Sequence, residues 1–207
     1  MVSLTVLESE ARSCTRCALA SSRTQVVFGV GDQHAGLFLV GEGPGYDEDR
    51  VGEPFVGRSG QLLDRLVCEE VGLDRSQYYI ANVVKCRPPG NRDPKPAEID
   101  ACRPYLEAQL DAVSPKVVVT LGNFAARLLL GTTEGISRLR GRVYPYRRGV
   151  LVPTYHPAAA LHSGGATVIA AMRADLVRAK EALASVSLSC EMPTGSAGDV
   201  DPGERTP

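Results

Sequence analysis

Four short apolar runs punctuate this chain, at residues 37–40, 78–84, 116–121 and 150–154. Each is rich in β-branched or aromatic side chains, as expected of a strand buried on both faces. Between them the period becomes helical. Leu62, Leu63, Leu66, Val67 and Val71 recur at helical spacing, and Gly72 supplies a stop. Pro96 opens a second helix toward Val113, which Pro104 is expected to kink or restart. A third runs over 124–130 and ends at Gly131; a fourth spans 168–186. Strands alternating with helices predict an α/β fold, a three-layer α/β/α sandwich around a central four-stranded parallel sheet.

The pattern also divides the chain. Residues 1–186 form one domain, while 187–207, rich in Gly, Ser, Pro and Asp, read as a disordered tail. At 207 residues and 43% apolar content, a full core is expected. No run is long enough to span a membrane, and the N-terminus lacks the basic start and apolar core of a signal peptide. These features predict a cytoplasmic protein, in which thiols stay reduced.

Net charge is −1, which alone does not favour a nucleic-acid partner. Its distribution is more informative. The tail holds four acids against Arg205, so the remainder carries about +2. Arg138, Arg140, Arg142, Arg147 and Arg148 fall within one stretch that contains no acid. Such a run either meets phosphates or is a solvated loop and strand.

Candidate chemistry gathers after the C-terminal ends of the strands, where open α/β sheets bind ligands. Cys14 and Cys17 form a CxxC pair, and Cys86 and Cys102 stand singly in distant segments. Four thiolates suit zinc or an iron–sulfur cluster, and the wide spacing favours the cluster. Cys68 lies within an apolar helical pattern and is expected in the core, whereas Cys190 falls in the tail. Gly41, Gly43 and Gly45, around Glu42 and Pro44, let backbone approach a flat ligand. The loop lacks the lysine of a phosphate-binding P-loop, so triphosphate chemistry is not supported. Glu42 is its one ionisable group: a catalytic carboxylate or a solvated one.

Gly57 and Ser59 open a helix whose free N–H groups favour a phosphate. Phe55, just ahead, either stacks on a base or packs in the core. Asn82 sits in an apolar strand, where Asn is disfavoured. Its amide can match the O4 acceptor and N3–H donor of uracil, while cytosine presents the reverse. His156 lies before a helix start, a setting that keeps imidazole neutral.

In this order the motifs resemble those of the type-4, iron–sulfur uracil-DNA glycosylases. They are Cys14-Thr-Arg-Cys17, Gly41-Glu-Gly-Pro-Gly45, Glu53-Pro-Phe-Val-Gly-Arg-Ser-Gly-Gln-Leu-Leu-Asp64, Asn82-Val-Val-Lys-Cys-Arg-Pro-Pro89, Leu121-Gly122, Ile136-Ser-Arg-Leu-Arg-Gly141 and His156-Pro-Ala-Ala-Ala-Leu161. The resemblance covers residues 14–183. It implies hydrolysis of the bond between a flipped-out uracil and its sugar, in single- or double-stranded DNA, by a monomer at the nucleoid. It implies a [4Fe–4S] cluster on Cys14, Cys17, Cys86 and Cys102. Glu42 and His156 would be catalytic; Gly41, Gly43, Phe55 and Asn82 would hold the base. Gly57, Ser59, Arg138, Arg140 and Arg142 would meet DNA, and Leu161 would probe the vacated stack. Superfamily members that activate water with an aspartate carry it two residues after the first glycine. Here that position is Gly43, which leaves Glu42 as the candidate.

Three other readings stay open on sequence. Relatives that trap uracil-DNA covalently carry a histidine after the Asn-bearing strand, but histidines here stand only at 34, 156 and 162. A zinc-stabilised nucleotide-binding module and a polymerase-recruiting protein are the others.

Overall fold

A computed structural model describes residues 3–162 and 165–188. Its frame is a sheet in the order β1-β3-β2-β4-β6-β5. The parallel centre comprises β3 (Tyr79–Asn82), β2 (Leu37–Gly41), β4 (Val117–Leu121) and β6 (Gly149–Thr154). The four expected strands are therefore present. Two short strands extend the sheet to six: β1 (Val30–Gly31) on β3 and β5 (Tyr144–Tyr146) on β6, both antiparallel. Neither is an unbroken apolar run, because each pairs on one side only.

Alternation along the strands feeds two cores. Phe38, Val40, Tyr79 and Val118 pack with α1 (Leu4–Arg12), α4 (Pro96–Val113) and α5 (Asn123–Leu130). Leu37, Leu39, Ile80 and Val119 face α3 (Arg58–Val71) and α7 (Gly165–Leu188). Two short helices, α2 (Tyr46–Val51) and α6 (Ile136–Leu139), fill the connections.

Three expectations change. α4 runs unbroken through Pro104, whose side is exposed, so water can reach the carbonyl that lost its partner. Cys68 is exposed, because the apolar stripe of α3 at Leu62, Leu63, Leu66 and Val67 turns it to solvent. α7 continues to Leu188, two residues beyond the expected end; the rest of the expected tail, with Cys190, lies outside the described residues. Among the described residues no helix is long and apolar enough to cross a membrane.

Candidate active site

A cleft of about 380 Å³ opens where the parallel strands end, within the usual size range for small-ligand sites. Glu42, Gly43, Phe55, Ser59, Asn82 and His156 all line it. Loops after β2, β3 and β6 thus converge on one space, although as many as 114 positions separate their residues in sequence.

The glycine loop is stitched to the chain beyond β3. Val83 N–H donates to Gly41 O at 2.9 Å and Val84 N–H to Glu42 O at 3.0 Å. Pairing therefore outlasts the strand and fixes the backbone beside Glu42. Gly41 must lack a side chain: a Cβ there would meet Asn82 Oδ1 at 2.4 Å and Phe55 Cζ at 2.5 Å. Glu42 is half-buried. Burial, and secondarily the Asp93 charge, push its carboxyl up to about 7.

Phe55 is buried and takes a left-handed backbone, with φ of 58°. For a bulky residue this costs on the order of 1–3 kcal/mol. Its surroundings hold it there. Glu48 Oε1 accepts from Val56 N–H at 3.1 Å and Gly57 N–H at 3.2 Å, while Oε2 accepts from Gly45 N–H at 3.1 Å. Arg75 donates to Pro54 O. A Cβ on Gly60 would meet Phe55 O at 1.7 Å, so α3 can begin against Phe55 only with glycine there. Glu48 was visible in sequence only as part of an acidic run. Its role depends on a turn that brings 45 and 56 together.

Asn82 is 2% exposed, and its Oδ1 is a buried acceptor without a partner among the described residues. Such an atom is costly unless a ligand supplies a donor. His156 Nδ1 accepts from Ala158 N–H at 3.2 Å, which places the proton of the neutral ring on Nε2. Burial depresses its pKa to about 4, against an opposing pull from Glu48, so the ring is neutral at pH 7. Its ring centroid lies 5.7 Å from that of Phe55.

Beyond the cleft the expected DNA contacts divide. Leu161 is 39% exposed and shares a hollow with Arg58, Gln61 and Arg65. Ser59 faces the cleft, while the Gly57 N–H, expected to face phosphate, donates to Glu48. Arg138 and Arg142 are exposed. Arg140, expected at the DNA, is engaged within the fold through Nε and Nη2. Its Nε donates to Asp175 Oδ2 at 2.9 Å and its Nη2 to Oδ1 at 3.1 Å and Ala171 O at 2.9 Å. Asp175 is fully buried and also accepts from Thr154 Oγ1 at 2.9 Å and Gly141 N–H at 3.1 Å. Arg147 and Arg148 sit in the β5–β6 turn, at the sheet edge opposite the cleft, and Arg147 pairs with Asp111. The basic run is therefore not one patch.

Cys14, Cys17, Cys86 and Cys102 line a second, small cavity together. Arg23 Nη1 donates to Cys86 Sγ at 3.4 Å and to Cys14 O at 2.8 Å, and Lys85 N–H donates to Cys102 Sγ at 3.2 Å. Such donors suit sulfur that carries negative charge. Burial raises the Cys86 thiol to about 11, offset in part by Arg23, and raises Cys102 as well. As the side chains stand, no group of three His, Cys, Asp or Glu among the described residues is arranged to hold a metal ion. Four thiols around one cavity, with cationic and N–H donors at their rim, fit a multi-atom thiolate-bound group better than a point ion.

Comparison with known proteins places the chain in a family. A family model described as the uracil DNA glycosylase superfamily matches residues 28–179. A type-4 uracil-DNA glycosylase of Saccharolobus solfataricus is 40% identical over 207 residues, covering 96% of this chain and 95% of that protein. That of Sulfurisphaera tokodaii is 44% identical, covering 79% and 78%. That of Archaeoglobus fulgidus is 45% identical, covering 78% and 85%. With a family model matching residues 28–179 and relatives at 40–45% identity over most of their length, the chain belongs to the uracil-DNA glycosylase superfamily, in its type-4 branch.

Proposed function

We propose that this protein excises uracil from DNA by hydrolysing the N-glycosidic bond, which leaves an abasic site and free uracil. The observation that carries the reading is the unpartnered, buried Oδ1 of Asn82 in the cleft beside Phe55 and His156. Uracil N3–H supplies the missing donor, and the amide N–H₂ of Asn82 can donate to O4. Cytosine lacks that donor and so leaves the acceptor unpaired.

The target base leaves the duplex to reach the cleft. It lies against Phe55, with Gly41 and Gly43 allowing close backbone approach. As N1–C1′ breaks, the bonding pair passes to uracil and charge grows on O2. His156 Nε2–H donates there, and the neutral ring keeps its own proton. The Glu42 carboxylate faces the cationic sugar and orients water. Water oxygen bonds to C1′, and a water proton passes to Glu42 and then to solvent. Loss of one such donor costs on the order of 10²–10³ in rate at comparable oxyanion sites.

Cys14, Cys17, Cys86 and Cys102 would hold a [4Fe–4S] cluster. When bound, it would act structurally, tying the N-terminal segment to the loop that follows Asn82. The protein works as a monomer and acts in the cytoplasm at the nucleoid, where its substrate lies. The deciding experiment incubates purified protein with an oligonucleotide containing one uracil, then cleaves abasic sites with alkali. Strand scission dependent on uracil is expected; intact strands at excess protein would refute the reading.

A further inference from the structure

The cleft is flanked by two exposed apolar side chains. Leu161 closes the turn that begins with the cleft residue Ala158, and Tyr46, 57% exposed, directly follows the cleft residue Gly45. Tyr46 contributes little to the core and is surrounded by cations. The guanidinium carbon of Arg87 lies 5.0 Å from its ring centroid, and that of Arg50 lies 6.0 Å away. Arg87 adjoins the cleft residue Pro88, and its Nε donates to Asn91 Oδ1 at 2.7 Å. The acids of the same helix are engaged elsewhere. Glu48 is held by Gly45, Val56 and Gly57, and Asp49 accepts from Thr24 N–H at 2.9 Å. Asp47 leans toward Gly57, where a Cβ would meet its Oδ2 at 3.6 Å.

We propose that Tyr46, with Arg87 and Arg50, forms a second nucleotide subsite that holds a base flanking the extruded uracil in single-stranded or locally unpaired DNA. The inference rests on the uracil-excision reading. An exposed ring between two guanidinium groups is the combination that unpaired strands use: a π-face for the base and cations for the adjoining phosphates. The loosely placed Arg50 yields its position over the ring to the base, while Asn91 keeps Arg87 at the rim. A flanking base that remains paired in a duplex stays in its stack and cannot reach Tyr46. The subsite therefore favours single strands without touching the uracil.

The test compares wild-type protein, Tyr46→Ala and Tyr46→Phe on single-stranded and fully paired uracil oligonucleotides, with an abasic spacer placed on either side of the uracil. Tyr46→Ala should lower kcat/KM on single strands about tenfold, with at most about a twofold change on the duplex. Tyr46→Phe, which keeps the ring, should restore the single-strand rate. A spacer on one side, but not the other, should cost the wild type about tenfold and cost Tyr46→Ala nothing more. Equal losses on both substrates, no loss on single strands, or a spacer effect that survives in Tyr46→Ala would overturn the subsite while leaving uracil excision intact. Wild-type protein that excises no uracil would overturn the underlying reading instead.

Discussion

At the scale of single residues, two environments push two titratable groups apart. Glu42 is raised to about 7, chiefly by burial, and His156 is lowered to about 4 by the same cause. A carboxyl raised in the folded protein binds its proton longer there. Its contribution to stability is present below its ordinary 4.5 and is lost as pH rises through about 7. Catalysis needs the charged form, so the trends oppose. Single-turnover excision should climb with pH through about 7, and Glu42→Gln should be slower and lack that limb. His156 adds no limb above about pH 5, because it is already neutral. His156→Ala should slow the chemical step by about 10²–10³ with little change in affinity for uracil-DNA, since its hydrogen bond strengthens only as charge develops. A proportional loss of affinity and rate would reassign it to substrate binding. At Asn82, an ionised aspartate only accepts, which suits the N4 donor of cytosine. Asn82→Asp should lose most uracil excision and gain detectable cytosine excision; wild-type uracil rates would show that the residue does not read the base.

At the scale of elements, the ends of strands and helices are held by carboxylates, Glu48 half-buried and Asp175 fully buried. Glu48 collects three N–H groups and sets Phe55 into its left-handed turn. Asp175 on α7 binds Thr154 at the end of β6 and Arg140 after α6, and Arg140 stands 5.3 Å from the ring of Tyr155. This network carries the strand end that presents His156. Arg140→Ala would leave a fully buried carboxylate without its strongest partner, a loss on the order of 3 kcal/mol. Thermal or denaturant unfolding should register it, while the salt dependence of DNA binding should not change. Arg138→Ala and Arg142→Ala should do the opposite, keeping stability and lowering the salt slope by about 0.9 for each phosphate contact removed.

At the scale of the molecule, the thiol cavity ties three separate segments together. Cys14 and Cys17 follow α1, Cys86 follows the cleft strand β3, and Cys102 lies on α4. α1 also packs on α4, so the N-terminal segment has an apolar anchor besides the thiols. Protein purified without oxygen should carry about four irons per chain. Cys86→Ser should lose iron and the brown colour, while Cys68→Ser, on the exposed face of α3, should retain both. Stoichiometric zinc in place of iron would exclude the cluster.

How much of this was legible in the sequence follows from what each feature depends on. The four central strands, the helices between them and the glycine loop rest on local periodicity and local turn chemistry, which neighbouring residues specify. The placement of Glu42, Phe55, Asn82 and His156 around one cleft was inferable because strand ends of a parallel sheet share an edge. Partnerships across the fold were not. Arg140 and Arg147 look alike within one basic run, yet one meets a buried aspartate on α7 and the other a surface aspartate on α4. Cys68 has the spacing of a core residue but turns outward, and Glu48 is one acid among three until the chain folds back on it. Periodicity along the chain determined which elements form and what chemistry they carry. Only tertiary structure decided which charges are consumed internally and which face solvent, because a charge pairs with whatever packing brings within hydrogen-bond distance.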